Sequence, residues 1–406
     1  MSLEPALTSR VARDPIGRIA ACALLGAIGY SSFAALPLLL GFFGKYRGFA
    51  ESSLGWVGSS EMLGLLLGSL IAARLLNKVR TKPLLLIGLS IALLANLATL
   101  ISVGLPLLLV CRLLSGFGGG ICYALATTLL ATSNKPERNF GLFMIASVVE
   151  GAALFLGMPW LDSHFGMPGP IGLMAAWLIV GYPLILIVPS PPAPADMEEA
   201  RAITDGGNLH AGRVVLSATV AFGTVLTASW SLIERIADAS TISLATVGFV
   251  LNLSNLACIL PSVAAAWLSE RFSPRIITAL TLLLCAGAMV TWQVGHDTIL
   301  SYAVRCLVLF MGLTFVQIQL FAILASTDPS GRQAALAPAA LGVGQVLGPI
   351  VGASTFSFGG FHGSLLADAA LAVVTALGYH FASGRLPKQS IGASPRDTNA
   401  SKMKIC

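Results

Sequence analysis

Arg112 and Arg305 each stand well inside a long apolar run, and so do the carboxylates Glu61, Glu150, Glu234 and Asp368. An arginine at mid-bilayer costs about 2.5–3.5 kcal/mol on insertion scales, so it is kept where it faces protein or water and has a task. A guanidinium offers a planar two-pronged donor that fits a carboxylate or another anion. A buried carboxyl changes its hold on a proton when a positive neighbour arrives or leaves. Such residues are the means for anion binding and for proton coupling, if a contact forms in only one conformation. The plain alternative is a fixed ion pair; for Glu234, beside Arg235 and Asp238, it is a solvated helix end.

Helical periodicity groups these residues with others. Arg112, Gly116, Gly119 and Tyr123 fall on one face, as do Arg305, Gly312, Val316 and Gln319, while Thr227 and Ser231 lead up to Glu234. Tyr30, Phe33, Trp230 and Phe315 can stack on a ring-bearing substrate, although membrane aromatics more often pack or sit at the interface. Asn252, Asn255, Gln317 and Gln345 need hydrogen-bond partners in apolar surroundings, in a substrate site or between helices.

Composition supplies those surroundings. Only 10% of the 406 residues are charged, 56% are hydrophobic, and the mean hydropathy is +0.84, too apolar for a water-soluble chain. Apolar blocks recur at the length that crosses about 30 Å of hydrocarbon. Twelve are counted: 16–42, 54–76, 83–103, 105–131, 138–160, 168–189, 213–236, 243–268, 275–294, 298–326, 333–356 and 361–383. This predicts an all-α integral membrane protein of two six-helix halves, 1–189 and 213–384, with a central loop at 190–212 and a tail at 385–406. No small-residue cleavage site follows the first run, which reads as a retained helix.

Basic residues give the orientation. Arg10, Arg13, Arg18, Arg74, Lys78, Arg80, Lys82, Lys135, Arg138, Arg201, Arg213, Arg271, Arg275 and Arg332 lie on the side of the amino terminus, against Lys45, Arg47 and Arg235 opposite. The positive-inside rule places both termini in the cytoplasm, with a bacterial inner membrane as the expected site. The pI of about 9.0 reports that bias and leaves nucleic-acid binding little to explain. The seven cysteines and five histidines show no metal-ligand spacing, and G-x-x-x-x-G-K-[ST] does not occur. Neither a metal nor a cofactor is expected, nor an enzyme, and uphill movement of a solute would need an ion gradient.

The halves look related. Asn77, Lys78, Lys82 and Arg112 match Glu270, Arg271, Arg275 and Arg305 at a constant offset, 305 − 112 = 193, and Gly151 and Gly157 match Gly342 and Gly348 at 342 − 151 = 191. RLLSGFGGG (112–120) fits the pattern R-x-x-x-G-x-G-x-G through Arg112, Gly116, Gly118 and Gly120. GQVLGPIVG (344–352) fits G-x-x-x-G-P-x-x-G through Gly344, Gly348, Pro349 and Gly352. ERFSPR (270–275) is similar to a D-R-x-G-R-[RK] loop.

In layout and motifs the chain resembles the major facilitator superfamily of secondary transporters. It departs from that family's pattern at ARLLNKVRTK (73–82), where Ala73 and Arg80 replace glycines. GAALFLGMPW (151–160) has the wrong spacing for the fifth-helix pattern associated with export. The resemblance implies a monomer with a midplane site between halves that rock to expose it alternately. It implies that helices two, five, eight and eleven meet at the interface, giving Glu150 a better claim to function than the peripheral Asp368. The expected activity is proton-coupled import of a small organic anion, Arg112 and Arg305 lining the cavity. Efflux of lipophilic compounds is the second reading, and a non-transporting receptor the third. Gly348 with Pro349 removes a side chain and a donor at one place, so the helix is expected to bend there and approach a neighbour closely.

Overall fold

The computed structural model describes residues 16–76, 78–131, 136–188, 209–261, 264, 268, 271–292, 294–327 and 332–383. Most of the central loop, the tail, Asn77 and Glu270 lie outside the described residues. Residues 209–212, expected at the end of the loop, instead belong to a helix.

The first half contains α1 (Ile16–Arg47), α2 (Glu51–Leu75), α3 (Thr81–Ile101), α4 (Leu105–Ala131), α5 (Pro136–Phe165) and α6 (Pro168–Ile187). The second contains α7 (Leu209–Ala239), α8 (Leu244–Ala257), α9 (Pro274–Val290), α10 (Ile299–Thr327) and α11 (Arg332–Ser383). Among the described residues 10 helices are long and apolar enough to cross a membrane. The last of these covers Leu336–His380 and holds two expected spans. They divide at Gly359 and Gly360, the residues of α11 with non-helical backbone. Gly360, at φ 60° and ψ −153°, occupies a region that is essentially glycine's alone. The ninth expected span corresponds to α9, whose 17 residues leave it outside those 10.

Proline and serine mark several starts. Proline opens α6 and α9, where its missing N–H leaves nothing unpaired, and Ser243 caps α8 by accepting from the Thr246 amide. Leu94, Ile101, Leu186 and Leu300 turn outward, as lipid-facing side chains do, whereas Leu, Ile, Phe and Ala fill the interior and glycines stand where helices approach closely.

In the first half α4 is the mast. A side chain at Gly116 or Gly120 would meet the carbonyls of Glu61 or Leu65 on α2; at Gly118 it would meet Gly88 on α3, and at Gly119, Gly29 on α1. Gly64 and Gly68 of α2 answer against Leu113 and Phe117 of α4. The GFGGG run therefore lets three helices reach one central helix at backbone distance. In the second half Gly344, Gly348 and Gly352 all turn toward α7.

The halves meet where α1 packs on α7, α2 on α11 and α5 on α8. Calling the membrane face where α1 begins proximal and the opposite face distal, the contacts described across this seam run from the middle to the distal face. Gly55 and Gly58 of α2 sit against Pro349, and Gly248 of α8 against Phe155 and Pro159 of α5. Asn255 Nδ2 donates to the Val148 carbonyl at 3.0 Å. The Gly-Pro pair thus serves two helices, Gly348 facing α7 within its half and Pro349 facing α2 across the seam. The change in backbone angles comes further on, at Gly359.

A Cβ at Gly348 would lie 2.7 Å from the Ala228 amide nitrogen and the Thr224 carbonyl oxygen, backbone that cannot swing aside. Gly348→Leu is expected to cost at least about 1–3 kcal/mol by overpacking, to lower the melting temperature in detergent and to abolish transport. An unchanged melting temperature would contradict the close approach.

Candidate substrate and coupling site

Arg112 is fully buried, and its partners all come from its own half. Nη1 donates to Glu61 Oε1 at 3.2 Å, and Nη2 donates to Thr99 Oγ1 at 2.7 Å and to Asn96 Oδ1 at 3.2 Å. The Phe43 ring lies 5.9 Å from the guanidinium carbon. Asn96 Nδ2 in turn donates to the Ile171 carbonyl of α6 at 3.0 Å, and Ser32 and Ser115 stand beside Glu61. This is the fixed-pair arrangement, and it corrects the expectation of a cavity-lining arginine in this conformation.

Arg305 is held elsewhere. It donates to Asp297 Oδ1 at 2.7 Å and to the Thr291 carbonyl at 2.5 Å, tying the start of α10 to the segment that follows α9. The two arginines occupy corresponding helices but do not share a cavity, because each finds its oxygen partners inside its own half. The stripe below Arg305 also faces inward. Gly312 abuts Cys285 on α9, and Val316 and Gln319 are buried. On α7, Thr227 and Ser231 return their hydroxyls to the Gly223 and Ala228 carbonyls of their own helix.

Glu150 is buried with the Trp177 indole of α6 facing its carboxyl, while its neighbour Gly151 meets Asn255 on α8. Asp368 is buried in the second half, where Ser229 of α7 contacts Oδ2. Glu234 lies on the seam, its carboxyl against Gly41 of α1.

The aromatic residues are the ones that converge. Tyr30 is stacked between Phe33 and Tyr123, with ring centroids 4.7 and 4.9 Å away and planes within 26°. Trp230 comes from the other half. Its ring lies 6.2 Å from Phe33, its Nε1 donates to the Phe33 carbonyl at 2.8 Å, and Phe155 and Phe310 stand edge-on to it at 6.0 and 4.8 Å. Gln345 of α11 donates to the Tyr30 hydroxyl at 3.2 Å. Tyr30, Phe33, Tyr123 and Phe310 are half-buried, so a wall of rings at the middle of the seam keeps some of its surface open. Phe315 is buried and is not among these ring contacts.

Sequence reasoning missed Phe155, Phe310 and the ion pair of Arg235 Nε with Glu51 Oε2, 2.5 Å across the seam. Glu51 escapes a reading by apolar runs because α2 starts three residues before the run at 54. A basic residue isolated on the distal side, as Arg235 is, was the available signal.

A family model described as the Major Facilitator Superfamily matches residues 20–215. Over that stretch, just under half of the chain, the sequence matches the major facilitator superfamily. It is 27% identical over 362 residues to the 4-hydroxybenzoate transporter PcaK of Pseudomonas aeruginosa, with 77% of this chain and 80% of that one covered. Its fold is similar to those of the nucleoside transporter NupG (TM-score 0.70, 14% identity, 91% of this chain and 99% of that) and a D-xylose-proton symporter (TM-score 0.71, 13% identity, 90% and 96%). The family match, the relative and the apolar helices together support a multi-pass membrane protein that transports a small molecule.

Breaking a buried pair by removing one partner costs about 3–5 kcal/mol. Glu61→Gln and Arg112→Gln should therefore both lower the melting temperature in detergent. Arg112→Lys should rescue little, since a point charge cannot reach the three oxygens that the planar fork serves. Wild-type melting in Arg112→Gln would show that the pair does not hold this half together.

Proposed function

We propose that this transporter imports a small ring-bearing organic anion together with protons by alternating access. The observation that carries the reading is the stack of Tyr30 between Phe33 and Tyr123 facing Trp230 from the other half. A planar ring fits such a wall, offset-stacked on faces whose neighbours lie within 26° of parallel. Each aromatic partner of this kind adds about 0.5–1.5 kcal/mol beyond its buried area. The neighbouring Gln345 amide and the Tyr30 and Tyr123 hydroxyls are neutral groups able to hold an anionic or phenolic oxygen. Likeness to a 4-hydroxybenzoate transporter supports the same substrate class.

The contacts described across the seam, from Asn255 on Val148 at its middle to Glu51 on Arg235 at its distal edge, support a state closed distally, in which we assign access to the ring wall to the proximal side. With the orientation read from the basic residues, that is the cytoplasmic side, so this is the releasing state for an imported substrate. Because both arginines are engaged within their halves, we assign the anion to hydrogen-bond donors rather than to a buried guanidinium.

In proteoliposomes with an acidic exterior, 4-hydroxybenzoate should accumulate and aliphatic acids of similar size should not. Trp230→Ala and Tyr123→Ala should each reduce uptake about tenfold, since 1.4 kcal/mol is one decade. Equal accumulation of aliphatic acids would overturn the ring assignment, and net extrusion of lipophilic compounds with no acid uptake would support the efflux reading instead.

A further inference from the structure

Within that reading of proton coupling, we propose that Glu234 is the carboxyl that makes closure of the distal seam depend on a proton, with the Glu51–Arg235 pair as the latch beside it. Glu234 is on the seam itself. Its carboxyl lies where a side chain on Gly41 of α1 would stand, it is buried, and Oε2 has no hydrogen-bond partner among the described residues.

The charges around it are engaged elsewhere. Arg235, next in sequence, points across the seam to Glu51. Lys45 on α1 is held by Asp162 at 2.8 Å, and Tyr302 on α10 donates to the Ile233 carbonyl. Asp238 on its own helix and Glu51 on α2 add negative charge. A carboxylate enclosed here would be a buried charge with no cation of its own, which costs several kcal/mol. A carboxylic acid would not bear that cost. The two halves can therefore close over Glu234 when it has taken a proton from distal water, and are opposed in closing when it has not.

The other carboxyls described in the membrane do not have this property. Glu61 is paired with Arg112, Glu150 faces Trp177, Asp368 contacts Ser229, Asp162 binds Lys45 and Tyr46, and Asp297 binds Arg305, each within one half. Glu61, Glu150, Asp297 and Asp368 also each keep one oxygen without a hydrogen-bond partner among the described residues, but separating the halves leaves their polar neighbours in place. Glu51 is also on the seam, but closing brings it Arg235, so it closes as a carboxylate.

Two measurements test this. Dicyclohexylcarbodiimide adds to protonated carboxyls in apolar surroundings, so mass spectrometry of the labelled wild-type protein should find the adduct on Glu234. Adducts on Glu150 and Asp368 with none on Glu234 would overturn the proposal. In proteoliposomes given 4-hydroxybenzoate, the wild type should alkalinise the outer medium as substrate enters. Glu234→Gln, a permanent mimic of the protonated acid, should keep substrate counterflow and lose both the alkalinisation and the gradient-driven accumulation. Gly41→Ala, which puts a methyl where the carboxyl lies, should fold and show the same loss in weaker form. Full alkalinisation in Glu234→Gln would overturn the assignment of Glu234 alone. Absence of alkalinisation in the wild type would overturn proton coupling, and this proposal with it.

Discussion

A guanidinium shut away from water has to be neutralised by what the surrounding helices bring to it, and Arg112 organises the first half on that condition. Its carboxylate comes from α2, its neutral acceptors from α3 and the ring over it from α1. The ion pair and the glycine motif are one feature. Glu61 presents its side chain to Arg112 and its backbone carbonyl to Gly116, one turn further along α4. A side chain at Gly116 would push α2 away and separate the charges together. This gives the R-x-x-x-G spacing a physical reason, since the arginine sets the partner and the glycine sets the distance at which the partner is reached.

The same economy of distance divides the molecule into parts that hold and parts that slide. Inside each half, helices meet through backbone at glycines and through buried ion pairs. Across the seam Gly55 and Gly248 also meet backbone, and beside them stand a proline ring on Gly58, an asparagine amide on a carbonyl, stacked rings and one ion pair at the distal edge. Interactions of this sort re-form after separation without leaving a buried charge stranded, Glu234 being the exception. A carrier needs that contrast, because its halves must move as bodies around a substrate that both of them touch.

Much of this was legible in the sequence. Apolar block length gave most of the helices, and the two glycine motifs marked helices that approach closely. Periodicity could say that Arg305, Gly312, Val316 and Gln319 share a face, yet not which way that face points; Gly312 abuts α9, and Val316 and Gln319 are buried. Choosing between a functional and a fixed Arg112 required knowing that Glu61, 51 positions earlier, arrives at the same depth. The ring wall was hidden for a related reason. Tyr30, Tyr123, Phe155, Trp230, Phe310 and Gln345 lie on six different helices, and nothing local distinguishes a ring that lines a site from one that fills a core.

The central claim is that two rigid halves separate at the distal seam while each keeps its internal contacts. Spin labels on the exposed residues Ser52 and Ala239 span the seam, and labels on Ser52 and Val103 lie within the first half. Double electron–electron resonance on both pairs, with and without 4-hydroxybenzoate at acidic and neutral pH, reads the two distances separately. The account predicts that the 52–239 distribution shifts by several ångströms toward longer distances in part of the population while the 52–103 distribution stays fixed. Equal broadening of both pairs, or movement of the 52–103 pair alone, would contradict it.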